Sequence, residues 1–378
     1  MTDRDFIPPA RPVIGEEEID AAVRVLRSGM VVQGPEVAAF EEEFSALVDG
    51  RHCVAVNSGT SALHLSLIAL GIGPGDEVLV PSFSFAASAN AVRLVGADPV
   101  FVDIEPDHFT MDPDAAAAAI GPKTAAIMPV HLYGHPADMT ALQGLADRHD
   151  IAVVEDAAQA HAATWQGTQV GAFGAVGCFS FYPTKNMHSL EGGMVSTADA
   201  QVARTLRLLR NQGMEQRYAN EVVGANMRLT DVAAAIGRVQ LGRLEEWTEQ
   251  RRRNAAVLDA GLKGVVVPPE AEGAWHVYHQ YTVRVPGGFR DALLAGLKER
   301  GIGSAVYYPT PIHLLAPYRP GYESPLGGVD RAAANRDWDL PETMRAAAEV
   351  LSLPVHPGLT EDDLGRIVDA VNELVGAW

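Results

Sequence analysis

The run Ile151-Ala152-Val153-Val154-Glu155-Asp156 decides the fold. Its residues 151–155 are almost wholly apolar, with no polar alternation, as expected of a strand buried on both faces of a parallel sheet. Toward the amino terminus, strand-length apolar runs at 53–56, 77–81, 99–104 and 125–130 alternate with helical patterns at 60–70, 86–95, 114–120 and 139–149. Toward the carboxyl terminus come two more strands, 176–182 and 194–197, and a helix at 200–210. This β-α-β-α order predicts an α/β domain with a mainly parallel sheet.

Two amphipathic helices, 16–28 and 35–48, precede the sheet, the first with acids in its opening turn where the helix dipole favours them. A long helical pattern from 230 to 262 suits a helix that leaves one domain and enters the next. Beyond it the pattern predicts a strand at 279–285, a helix at 289–300, a strand at 304–308, a Pro- and Tyr-rich loop at 309–322 and a closing helix at 361–375. The expected division is a large domain, 1–245, and a small α+β domain, 246–378.

A chain of 378 residues with 47% hydrophobic and 20% charged residues has the composition of a globular protein with a large core. Its net charge of −19 argues against nucleic acid as a partner, since phosphate backbones need a basic face. The two cysteines, Cys53 and Cys178, lie in apolar runs with no metal or redox spacing and read as reduced core thiols. No leader pattern opens the sequence and no apolar run reaches the length of a membrane span. The expectation is a cytoplasmic protein with no membrane association.

Several strand ends carry residues that could do chemistry. Ser180-Phe181-Tyr182-Pro183-Thr184-Lys185 reads as a strand that stops at Pro183 and presents a lysine in an apolar neighbourhood. Most lysines at turns are solvated; this one could instead form a Schiff base with a carbonyl cofactor. Asn57-Ser58-Gly59-Thr60-Ser61 lies between a strand and a helix, where free N–H groups and the Thr60 and Ser61 hydroxyls could hold a phosphate. Taken alone, a simple helix cap explains it better. Asp156, at the carboxyl end of the apolar strand, could hold a proton on a heterocyclic nitrogen, with Gln159 near enough to address the same ligand; a helix cap explains Asp156 about as well. Phe85, past another strand, could stack on a flat ring or simply pack in the core. Ser180 alternates with Phe179 and Phe181, so it could face the same phosphate as Thr60. A phosphate cradle, a stacking aromatic, an acid for a pyridine nitrogen and an amine for an aldehyde are together what pyridoxal 5′-phosphate requires.

The chain resembles the DegT/DnrJ/EryC1/StrS family of pyridoxal-phosphate-dependent sugar aminotransferases, of fold type I. The resemblance covers nearly the whole length. It is carried by Gln33-Gly34-Pro35, Asn57-Ser58-Gly59-Thr60-Ser61, Gly73-Pro74-Gly75-Asp76, His131-Leu132-Tyr133-Gly134, Glu155-Asp156-Ala157-Ala158-Gln159, Pro183-Thr184-Lys185-Asn186, Glu191-Gly192-Gly193, Asn226-Met227-Arg228 and Pro311-Ile312-His313-Leu314. It implies a mainly parallel seven-stranded sheet in the large domain. It also implies that Lys185 carries the cofactor, Asp156 pairs with the pyridine nitrogen, Gln159 touches the ring hydroxyl and Phe85 stacks on the ring. Gly59, Thr60 and Ser180 would bind the phosphate. Asn226 would reach the phosphate of a neighbouring subunit, which implies a homodimer with composite sites. Leu190 stands where the family usually has glycine, Gln212 where histidine is common and Met227 where tyrosine is frequent. These departures bear on the substrate rather than on the cofactor.

The implied reaction moves an amino group from an amino acid, with glutamate expected, to a keto sugar, most simply a nucleotide-linked 3- or 4-keto-deoxysugar. The exchange runs in two stages with Lys185 as base and acid. His188 would face the substrate. Arg217, Arg228, the arginine run 251–253 and His313 are candidates for meeting the anionic acceptor, although most such residues are solvated surface. A cyclitol acceptor, another fold type I reaction and a cofactor-binding regulatory relative without turnover are the alternatives. Competing motifs fail on spacing. Gly71, Gly73 and Gly75 follow a helix rather than a strand, no P-loop or G-x-S-x-G elbow is present, and His131 and His135 do not converge on a metal, so no metal is expected.

Overall fold

The computed structural model describes residues 6–319, 321–322 and 337–377. Residues 1–5, on which the reading of the amino terminus partly rests, and residue 320 of the expected loop 309–322 lie outside the described residues. Two helices, α1 (Glu16–Ser28) and α2 (Pro35–Leu47), lead into the sheet. Its strands are β1 (His52–Val56), β2 (Glu77–Pro81), β3 (Asp98–Val102), β4 (Thr124–Ile127), β5 (Ala152–Asp156), β6 (Val176–Ser180) and β7 (Gly193–Thr197). The helices between and after them are α3 (Gly59–Ala69), α4 (Ala87–Leu94), α5 (Pro113–Ala119), α6 (Met139–His149) and α7 (Ala200–Arg210).

The seven strands run in the order β1-β7-β6-β5-β4-β2-β3. β7 is antiparallel to both neighbours, β1 and β6, and the other pairings are parallel. Helices cover both faces, so the strands are buried nearly throughout, and Val153, Val154, Val176 and Val195 belong to the core. This is why the run from Ile151 shows no alternation. The register places one functional edge. Val56 and Ser180 both pair with Gly193, and Asp156 pairs with Cys178, two residues before Ser180. The ends of β1, β5 and β6 therefore meet the start of β7, at the edge where open α/β sheets bind ligands.

The predicted long helix 230–262 is two helices, α8 (Asp231–Leu241) and α9 (Leu244–Gly261), separated at Gly242 and Arg243. Glycine costs about 1 kcal/mol against alanine inside a helix, and the break here lets Leu244 enter the core beside Val37, Phe40 and Phe44. The expected strand 304–308 does not form; only Ala305 pairs, with Ser352, and Tyr308 turns away at φ 56°. The strand that does pair with β8 (Tyr281–Arg284) is β9 (Val350–Leu353), which follows α11 (Pro341–Glu349). With α10 (Arg290–Glu299) and α12 (Glu361–Val375), these strands bury a core of their own that includes Leu258, Tyr281, Leu293, Leu351 and Ile367. On that separate core we propose the division of the chain near residue 245. Ile7 from the amino-terminal segment packs into this second core. No helix among the described residues is long and apolar enough to cross a membrane.

Candidate active site

A cavity of about 480 Å³ opens at this sheet edge, within the range of small-molecule sites. Ser58, Gly59 and Thr60 form one wall, Asp156 and Gln159 another, and Ser180 and Lys185 a third. Residues that are far apart in sequence thus converge because each follows the end of a strand.

Ser58 caps α3, its Oγ accepting the Ser61 N–H at 3.1 Å. The turn is therefore a helix cap and a wall of the cavity at once. Ser61 is turned aside, its hydroxyl donating to Asn57 Oδ1 at 2.6 Å, while Thr60 stays on the cavity. Gly59 is packed tightly, since a Cβ there would lie 2.7 Å from Ser180 Cβ. A Cβ on Gly193 would lie 2.4 Å from the Ser58 carbonyl oxygen. The close approach of three backbone segments holds the first turn of α3 at the cavity wall, where its free N–H groups could meet an anion.

Asp156 is buried at the cavity floor. Its Oδ2 accepts from Ser88 Oγ at 2.7 Å and its Oδ1 from the Ala158 N–H at 3.2 Å. Burial pushes its carboxyl above the usual range, against the opposing pull of these hydrogen bonds and of Lys185. Both hydrogen bonds come from neutral donors and Lys185 acts on it only through its charge, so a protonated ring nitrogen would supply the directly bonded cation that this carboxylate lacks. Ser84 extends the chain by hydrogen bonding to Ser88 at 3.1 Å.

The chain has four lysines, and Lys123, Lys263 and Lys298 are exposed. Lys185 is half-buried on the cavity, and burial brings its amine down to about 8, with Asp156 opposing the shift. A larger fraction of this amine is therefore free base at neutral pH than of an exposed lysine. His279 also faces the cavity. Its Nδ1 meets Asn186 Oδ1 at 3.2 Å; Asn186 Nδ2 donates to the Val277 carbonyl, so His279 carries its proton on Nδ1.

Gln159 is held at both ends, accepting the Tyr133 N–H at 2.7 Å and donating to the Tyr308 hydroxyl at 2.6 Å. Phe85 lines the cavity at its rim and is 63% exposed. The other expected contacts lie off this cavity. Asn226 is exposed and its backbone pairs with Asn211. Arg228 donates to Asn211 Oδ1 at 2.7 Å, and Arg217 lies over the Tyr218 ring. His188 is buried beneath the loop, in a small cleft it shares with Val13. His313 is buried with Nδ1 at 2.7 Å from Ser82 Oγ and fastens its loop to the end of β2.

Sequence reasoning missed Ser88, Tyr307, Tyr308 and His279. Ser88 sits four residues past Ser84, one helical turn that the serine pattern could have signalled. The tyrosines carried no signal, because a strand was expected there and the turn at Tyr308 is what brings its hydroxyl to Gln159.

A sequence model of the DegT/DnrJ/EryC1/StrS aminotransferase family matches residues 12–372. The chain is 45% identical over 364 residues to a dTDP-3-amino-3,4,6-trideoxy-alpha-D-glucose transaminase of Streptomyces venezuelae, covering 94% of this chain and 92% of the relative. It superposes on the solved structure of S. venezuelae DesV with a TM-score of 0.89 at 43% identity, covering 98% of this chain and 99% of the other. It also matches the structure of NtdA from Bacillus subtilis with bound cofactor PMP, with a TM-score of 0.86 at 30% identity, over 96% of this chain and 82% of that one.

Proposed function

The chain belongs to the DegT/DnrJ/EryC1/StrS aminotransferase family, and from that premise we propose that it uses pyridoxal 5′-phosphate to move an amino group from an amino acid to a nucleotide-linked keto-deoxysugar. The observation that carries the cofactor reading is the placing of Lys185, Asp156 and the Ser58–Thr60 turn on one cavity. These residues fit the group. The turn offers N–H groups and the Thr60 hydroxyl to a phosphate, Asp156 is a buried anion for a ring cation, and Lys185 is a half-buried amine.

When bound, pyridoxal phosphate supplies an electron-withdrawing ring that makes the amine-bearing carbon of a substrate acidic. Asp156 keeps the ring nitrogen protonated, and Ser88 and the Ala158 N–H orient its carboxylate. Lys185, with its amine near pKa 8, is the base that would take the proton from the donor's α-carbon and deliver it two bonds away, beyond the donor's nitrogen. Gln159, fixed between Tyr133 and Tyr308, meets the ring hydroxyl. Phe85 covers one ring face from the cavity rim. Thr60, Gly59 and Ser180 anchor the phosphate, with the Ser61 hydroxyl supporting the turn through Asn57.

We place the second subunit of a homodimer against the apolar loop beside Asn226. Tyr218 is 81% and Val223 96% exposed there, and large exposed apolar side chains grouped on one loop favour an interaction surface. Asn226 then serves the partner's phosphate, and Arg217 and Arg228, on the same segment, are the candidates for the acceptor's diphosphate. Glutamate is the proposed donor. The nucleotide-linked sugar of the S. venezuelae relative supports this acceptor class over a cyclitol.

The two half-reactions test the proposal separately. Glutamate mixed with the cofactor-loaded protein should convert the cofactor's visible absorbance to that of its amine form and yield 2-oxoglutarate. A dTDP-linked keto-deoxysugar should then restore the original absorbance and yield an amino sugar. If no amino acid changes the spectrum, the transferase reading fails.

A further inference from the structure

Within the arginine run 251–253 the three side chains have different fates. Arg252 pairs with Glu270 at 2.7 Å and lies 3.7 Å over the Trp275 ring, and Arg253 donates to Gln250. Arg251 turns inward and is only 7% exposed. Its Nη1 donates to the Tyr278 and His279 carbonyls at 3.2 and 3.3 Å, and its Nε has no partner. Among the described residues its Nη2 makes no hydrogen bond either, and no acid pairs with it. Burial alone acts on this guanidinium, bringing it down to about 10 with no carboxylate to offset the shift.

An unpaired buried guanidinium is costly, and structures keep one where an anion arrives to meet it. The unoccupied edge is the one formed by Nε and Nη2, the side of the fork that grips the two oxygens of a carboxylate in parallel. Arg251 borders two clefts of about 20 Å³ each, and both also include Thr184. The first shares His279, Gln280 and Tyr307 with the large cavity, and the second shares Lys185. Spaces of this size admit a water-sized group, such as the end of a carboxylate, but not a diphosphate. Nearby, His356 is buried with Nδ1 unpartnered, so the recess holds a second polar group without a mate.

We propose that the Nε/Nη2 edge of Arg251 is the binding site for the carboxylate of the amino-acid donor, reached past Thr184 from the lysine side of the cavity. The assignment rests on the aminotransferase reading and adds its donor subsite. Arg251 then serves the half-reaction with the amino acid and has no part in holding the nucleotide sugar. It also explains why Arg251 is kept buried with no acid beside it among the described residues.

The test compares wild-type and variant holoenzymes in separate half-reactions. Arg251→Lys keeps a charge but loses the fork. Ala10→Asp leaves Arg251 in place and puts a competing carboxylate on the same recess, since Ala10 lines both clefts. Both variants should raise the glutamate concentration for half-maximal conversion roughly 10- to 100-fold, the scale of a lost charged hydrogen-bond pair. Saturation by the keto sugar in the second half-reaction should stay within about twofold, as should the rate with an amine donor that has no carboxylate. Unchanged glutamate saturation in Ala10→Asp, or an equal penalty with the carboxylate-free amine, overturns the assignment. Those results would leave the transferase reading intact, because that reading fails only if the wild-type holoenzyme itself does not respond to any amino acid.

Discussion

Ser88 Oγ donates a 2.7 Å hydrogen bond to Asp156 Oδ2, and both residues are buried. A hydroxyl on the first turns of α4 thereby helps keep the acid of β5 ionised. Ser88→Ala removes a contact that lowers the Asp156 pKa, which burial already raises. The pKa must then rise further, so the acid limb of the kcat/KM profile should move to higher pH. Cofactor affinity should weaken by about 1–3 kcal/mol, the cost of a lost hydrogen bond to a charged group. An unmoved acid limb would mean that Asp156 does not set it.

Gly59 is packed against Ser180 with no room for a methyl group. Gly59→Ala should force the turn away from β6 and cost about 1–3 kcal/mol of stability, as overpacking does. Cofactor release should accelerate more than this loss implies, because the displaced N–H groups are the phosphate anchor. Thermal melts with and without added pyridoxal phosphate separate the two effects.

The Lys185 amine is depressed from 10.5 to about 8 by burial. Between those values the unfolded chain binds more protons at this site than the folded one, so the stability of the cofactor-free protein should rise with pH from about 8 to 10.5. At pH 7 both states are protonated and the buried charge is a net cost. Lys185→Met should raise stability there by about 1–3 kcal/mol, less than the full shift implies because water reaches the amine in the open cavity. Denaturant melts of the cofactor-free wild type and variant across this pH range check the sign.

Leu190 takes φ 67°, in the left-handed region that favours glycine. Leu190→Gly should relieve about 1–2 kcal/mol of backbone strain, offset in part by the greater freedom of glycine in the unfolded chain. A melting temperature that falls would show that the exposed leucine side chain contributes more than its backbone costs.

The sheet was legible because its strands are short, apolar and bounded by turn residues, and burial on both faces leaves a pattern that little else imitates. The residues on the cavity wall were legible where they end or closely follow such strands: Gly59, Asp156, Ser180 and Lys185. What was not legible depends on tertiary contact. The split at Gly242 leaves the helical pattern over 230–262 unbroken in sequence, and the pairing of β9 with β8 joins segments too far apart for any local pattern. The run 304–308 has β-forming residues, yet Tyr308 is drawn to Gln159 instead. Arg251 was indistinguishable from Arg252 and Arg253 in sequence, and only packing shows which of them points inward.

The central claim is that Lys185 holds the cofactor, and the scarcity of lysine makes it open to a direct test. Reduction of the yellow holoenzyme with borohydride, followed by proteolysis and mass spectrometry, locates the pyridoxyl group among four lysines. The account predicts a single modified peptide containing Lys185. Label on Lys123, Lys263 or Lys298 in its place, or none on any lysine, would contradict it.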